Sequence, residues 1–255
     1  MKRFFTIFIV VMLLINVSSL IVLFGRKDTN NNHNSTTEIV QSVDFSKLRY
    51  VAFGDSITAG SGLESKSMSY PYVVADILGT KTTNRGVGGS TLGYDNENLE
   101  RHCIADDVVK TTQNGYTYDI ISVTGGSNDK SLTIPLGNLD DYKKSSVYGA
   151  LNIIADTLTK TYSNAFIFFM TPIKNPSCLG VNSAGYNLED VSNAIKQVAE
   201  KYGIPVLDLF NTSQFENVDC GMNNPDCDGW HPLKEFVSDY LAPQITQFIK
   251  DNYKK

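Results

Sequence analysis

The chain of 255 residues has little of several things. There are three histidines, one tryptophan and four cysteines, and no pair of cysteines stands in C-x-x-C spacing. Zinc sites of the finger or ribbon type need such paired ligands, so Cys103, Cys178, Cys220 and Cys227 do not read as a metal centre. In an exported protein they read instead as two disulfides, with Cys220–Cys227 the favoured pair because it closes a small loop; buried free thiols are the alternative. No internal repeat is visible, and no lysine of the Walker type follows the glycine-rich stretch near residue 86, so a nucleotide-phosphate loop is not indicated. The first 27 residues have four basic side chains and no acidic one. Setting those four aside from the 22 basic residues leaves 18 against 27 acidic ones, a net charge of −9 for the remainder. Such a surface repels phosphate backbones, and no nucleic-acid partner is expected.

Phe4 to Phe24 is without any charge. At ~1.5 Å per residue a helix of that length spans about 31 Å, close to the ~30 Å of a bilayer core. Residues 1–27 are therefore expected to form a membrane anchor or a signal segment, with residues 4–24 in the membrane. The length favours the anchor, because the apolar part of a cleaved signal is usually only about 7–15 residues long. A cleavage site at Val17-Ser18-Ser19 is the competing reading, and it would give a secreted protein. Residues 28–46 are polar and poor in large apolar side chains, as a flexible tether is. Residues 47–255 are expected to form one globular domain outside the cytoplasm, in keeping with 42% hydrophobic residues overall.

Within that domain short apolar runs alternate with helical periodicity. Strands are expected at 48–53, 82–84, 119–123, 165–170 and 205–209. Helices are expected at 71–78, 99–112, 147–162, 188–202 and 233–249, the last with Pro232 in its first turn. This alternation implies a parallel sheet covered by helices on both faces, whose sites form at the carboxyl ends of the strands.

Reactive side chains fall at those ends. Ser56 follows the first strand directly, after Gly54-Asp55. A serine hydroxyl is a poor nucleophile until an imidazole takes its proton, and the imidazole needs a carboxylate to fix its tautomer. His33 lies in the asparagine-rich tether and His102 in a charged segment, which leaves His231 as the base. Asp228, three positions earlier, is the carboxylate a short loop can set beside it. Two further clusters follow the second and third strands. Asn84-Arg85-Gly86-Val87-Gly88-Gly89 lets backbone N–H groups approach a ligand, or else makes a turn with positive φ. Gly126-Ser127-Asn128-Asp129 offers a side-chain amide, or an ordinary turn asparagine.

Together, in order, these four segments resemble the blocks of the GDSL/SGNH hydrolase family, across about residues 47–252. Ile57, where the family name has leucine, is the one departure beside the serine. The resemblance implies a flavodoxin-like three-layer α/β/α fold and a serine esterase or lipase-like activity without cofactor or metal. It implies Ser56 as nucleophile, His231 as base and Asp228 as its carboxylate. It also implies an oxyanion hole from the Ser56 N–H, the Gly89 N–H and the Asn128 amide, with Gly88 the neighbour that competes for Gly89's role. Short acyl esters, acetyl groups on carbohydrate among them, are the expected substrates. A lysophospholipase-like activity, an acyltransferase and a non-catalytic tethered binding domain are the alternatives.

Overall fold

In the computed structural model, residues 43–94, 101–174, 179–213 and 229–254 are described. Asp228, Cys178, Cys220, Cys227 and the apolar segment 4–24 lie outside them. Among the described residues no helix is long and apolar enough to cross a membrane. One compact unit begins at Val43, and Phe45 already packs its ring against Tyr253, centroids 5.7 Å apart.

The elements alternate along the chain. Strand β1 (Arg49–Gly54) leads into a one-turn helix α1 (Ser56–Ala59), then α2 (Tyr70–Leu78) and β2 (Lys81–Gly86). After them come α3 (Ile104–Thr112), β3 (Ile120–Val123), α4 (Ser127–Ser131), α5 (Val147–Thr161) and β4 (Phe166–Met170). The last third holds α6 (Leu188–Tyr202), β5 (Val206–Leu207), α7 (Leu209–Thr212), α8 (Lys234–Phe236) and α9 (Ala242–Asn252). All strands are parallel, in the order β2-β1-β3-β4-β5. This is the flavodoxin-like order, and its direction reverses between β1 and β3.

Strand side chains alternate between two apolar layers. Val51, Phe53, Ile121, Val123, Ile167 and Phe169 pack on α3, α5 and α6. Tyr50, Ala52, Ile120, Phe168 and Met170 meet α2 and the α8–α9 run on the other face. Because both faces are covered, the central strands are buried along nearly their whole length, which is why they read as unbroken apolar runs. Local signals set the helix limits. In α6, Asn187 Oδ1 accepts from the N–H of Glu189 (2.8 Å) and Asp190 (3.1 Å), while Asp190 returns a bond from the Asn187 N–H (2.8 Å). Gly203, at φ 66°, closes the same helix.

Several expectations need correction. The second strand is twice the length anticipated, since β2 is an edge strand whose polar Thr and Asn side chains face partly outward. The helix expected from residue 99 begins only at Ile104. The last strand stops at Leu207, because Asp208 caps α7 by accepting from the Asn211 N–H. Pro232 precedes the N-cap Leu233 rather than entering the helix. The closing helix is also not uniform: residues Val237–Leu241 form a π turn just ahead of Pro243. Proline lacks the N–H and its ring crowds the carbonyl four residues back, and a widened turn relieves both. Cys103 is a buried free thiol whose Sγ donates to Leu92 O (3.1 Å), so it is not half of a disulfide.

Candidate active site

Four strand ends meet at one cavity of about 300 Å³. Ser56, Asp55 and Ile57 come from the end of β1, Gly88 and Gly89 from beyond β2, and Ser127 and Asn128 from beyond β3. Ile173 lies past β4, and Trp230 and His231 close the rim. The cavity therefore sits at the carboxyl edge where the strand order reverses. Of the five residues expected to form the site, Ser56, Gly89, Asn128 and His231 are brought together here, and Asp228 falls outside the described residues. Ser61 and Ile173, which nothing in the sequence marks, join the lining, as does Trp230 beside His231.

Ser56 is the first residue of α1, and its support is tight. Asp55 is the N-cap and accepts from the Ile57 N–H (3.0 Å). The Ser56 N–H is one of the first-turn donors that a helix leaves unpaired. At the other end Gly60, at φ 79°, and Ser61 bond back to the Ser56 carbonyl. The Thr58 carbonyl is taken by Asn84 Nδ2 (2.7 Å). Gly54 and Gly86 are needed for space: a Cβ on Gly54 would overlap the Thr58 hydroxyl, and one on Gly86 would overlap the backbone N of Ala59. Gly54 is thus needed for a close approach of strand to helix and not for a special turn; its φ is ordinary.

The donors opposite the serine are fixed in turn. Gly89 has φ 75°, a conformation glycine adopts without strain. Neither the Gly88 nor the Gly89 N–H has a partner among the described residues. One hydrogen of Asn128 Nδ2 goes to Ser90 O (2.8 Å), which sets the amide plane and leaves its second hydrogen for a ligand. Next to it the carboxylate of Asp129, fully buried, accepts from the N–H of Leu92 (2.8 Å) and Gly93 (3.1 Å). Those bonds tie the loop after β2 to the start of α4.

Burial dominates the charges. It lifts the Asp129 carboxyl to about 7 against the pull of its two N–H donors, with Asp55 pushing it further up. It also lifts Asp55 to about 6, opposed by the Ile57 N–H and by electrostatic attraction to the nearby His231 imidazole. His231 is half-exposed, and its Cβ lies against Gly62, where an added Cβ would stand 3.2 Å away. A hydroxyl, an imidazole, a side-chain amide and unpaired backbone N–H groups around one small cavity are the parts that acyl transfer requires.

The sequence matches the GDSL-like lipase/acylhydrolase family over residues 52–235. No curated protein matches it. Among solved structures, a protein from Lactobacillus plantarum is 26% identical, covers 83% of this chain and 100% of its own, and has a TM-score of 0.68. The native aryl esterase of M. smegmatis is 16% identical over 81% of this chain and 100% of its own (TM-score 0.57). Est24, a carbohydrate acetylesterase from Sinorhizobium meliloti, is 16% identical over 80% and 97% (TM-score 0.57). The last two identities speak for the fold alone, whereas the family match takes in the serine, glycine, asparagine and histidine segments. The chain belongs to the GDSL-like lipase/acylhydrolase family and is a carboxylic ester hydrolase.

Proposed function

We propose that the protein hydrolyses short acyl esters, acetyl groups on carbohydrate foremost, with Ser56 as nucleophile, His231 as general base and Asp228 as the carboxylate that orients the imidazole. The observation that carries this reading is the meeting of Ser56 and His231, from opposite ends of the domain, in one cavity with Gly89 and Asn128. The Ser56 Oγ attacks the ester carbonyl carbon while its proton passes to His231. The carbonyl π pair moves onto oxygen, where the N–H groups of Ser56 and Gly89 and the free hydrogen of Asn128 receive the charge. Collapse breaks the bond to the alcohol oxygen, which takes the proton from His231, and the acyl group stays on Ser56. Water, deprotonated by His231, then repeats the attack and releases the acid.

Cavity size supports a short acyl group. At roughly 30 Å³ per water-sized group, 300 Å³ holds about ten such groups, enough for an acetyl group with part of a sugar ring. Trp230 is 43% exposed and lines the cavity, which puts an aromatic side chain beside the place a sugar would occupy. The charge-free run at residues 4–24 supports a membrane anchor with the domain outside the cytoplasm. A silent binding domain would have no use for Ser56 and His231 in one cavity.

The test is a steady-state comparison of acetylated sugars with lysophospholipids, and of wild type with Ser56→Ala. Acetyl sugars should give the higher kcat/KM, and Ser56→Ala should remove nearly all turnover. Higher kcat/KM on lysophospholipids would move the substrate assignment to lipid, and full activity in Ser56→Ala would end the proposal.

A further inference from the structure

The loop after β2 that carries Gly89 is gripped from behind by residues 101–107, a segment with no part in the reaction above. Arg101 Nη1 donates to Gly89 O (3.0 Å). The Ser90 hydroxyl, fully buried, lies 2.8 Å from Val87 O and 2.8 Å from His102 Nδ1. A hydroxyl has one hydrogen. With that hydrogen given to the Val87 carbonyl, which can only accept, Ser90 Oγ accepts from the His102 Nδ1–H. His102 Nε2 faces Asp107 Oδ1 at 4.0 Å, and Asp107 is itself held by Nε (3.1 Å) and Nη2 of Arg85 on β2. Backbone bonds complete the grip: the Thr91 N–H donates to His102 O (3.3 Å), and the Ile104 N–H to Thr91 O (2.9 Å).

A Gly-Gly pair has wide conformational freedom, yet a donor helps an oxyanion most when it is already in place and has no reorganisation left to do. We infer that Arg101 and His102 are positioning residues for ester hydrolysis, holding the Gly89-Ser90 backbone so that the Gly89 N–H meets the oxyanion. The inference rests on the assignment of Gly89 as an oxyanion donor. Asn128 belongs to the same assembly, since its amide bonds the Ser90 carbonyl. Two of the three donors therefore share one backbone segment, and that segment is fixed by Arg101 and His102. Arg101 is exposed, so its loss should affect turnover more than stability.

The experiment uses the full chain, a short p-nitrophenyl ester and thermal melting. Arg101→Ala and His102→Leu should each lower kcat about tenfold with KM within twofold, the pattern of an interaction made in the transition state. His102→Asn, whose Nδ2 stands near the position of Nδ1, should recover most of the His102→Leu loss. Combined with Asn128→Ala, the Arg101→Ala loss should fall short of the product of the single losses, because both act on one backbone segment. Unchanged kcat in Arg101→Ala, a change confined to KM, or full multiplication with Asn128→Ala would each overturn the inference. Should His102→Leu fail to fold, the Arg101 variants decide. Ser56→Ala separates the two levels: activity there defeats the assignment of the site. An inactive Ser56→Ala beside fully active Arg101→Ala and His102→Leu defeats only the positioning role.

Discussion

Asn84 makes three bonds from a single half-buried side chain, and together they decide where the nucleophile stands. Its Nδ2 donates to Thr58 O (2.7 Å) and to Ser69 Oγ (3.0 Å), and its Oδ1 accepts from the Gly86 N–H (2.8 Å). The Thr58 carbonyl is an end group of the one-turn helix that Ser56 begins, so Asn84 fastens that helix to β2. Asn84→Ala removes all three bonds. At about 1 kcal/mol net per bond, the loss is about 3 kcal/mol, less where water reaches the half-exposed site. For a domain of about 200 residues that corresponds to a fall in Tm of roughly 6–12 °C. Asn84→Asp sharpens the test. The Ser69 hydroxyl already donates to Lys66 O (2.8 Å), so both groups opposite Nδ2 are acceptors. A carboxylate there keeps the Gly86 bond but sets negative oxygen against two lone pairs. The aspartate variant should be no more stable than the alanine variant at neutral pH, and kcat should fall in both as Ser56 shifts. Thermal melts with ester kinetics on the same samples provide the check. A Tm within 2 °C of wild type for Asn84→Ala, or wild-type stability for Asn84→Asp, would refute the reasoning.

Two further outcomes follow from the packing and charge around Ser56. Gly86→Ala sets a methyl against the backbone of Thr58 and Ala59, so α1 must move; kcat should drop more than tenfold in a folded protein, and full activity would contradict the close approach. Burial holds Asp55 at about 6, above its ordinary 3.8, so between about pH 4 and 6 the folded state keeps a proton that the unfolded chain has released. That contribution to stability is complete below about pH 4 and is lost as the pH rises through 6. Asn at this position still accepts from the Ile57 N–H but does not titrate, so the melting temperature of Asp55→Asn should decline less steeply than wild type from pH 4 to 6. An unchanged slope would show that Asp55 is not the titrating group.

The parts of this architecture that were legible in the sequence are those whose cause is local. β1, β3 and β4 are apolar because both sheet faces bury them, and α6 announces itself by a capping box and a closing glycine. β2 was recognisable only in part, since an edge strand has less apolar side-chain surface to show. The π turn had one local sign, Pro243, inside an otherwise helical pattern. Ser56, Gly89, Asn128 and His231 were legible because strand ends and short motifs mark them. Asn84 was visible as a member of its motif, but its function as a clamp between β2 and α1 was not, because its partners lie far along the chain. In the sequence His102 reads only as part of a charged segment; its bond to Ser90 exists only once the 101–107 segment folds behind the loop.

The most direct test of the account is where an electrophile lands. A fluorophosphonate probe added to the folded full-length protein should modify one residue, Ser56, as read by peptide mass spectrometry, and His231→Ala should all but abolish the reaction. Labelling at another side chain, or labelling undiminished in Ser56→Ala, would contradict the claim that Ser56 and His231 work together in this cavity.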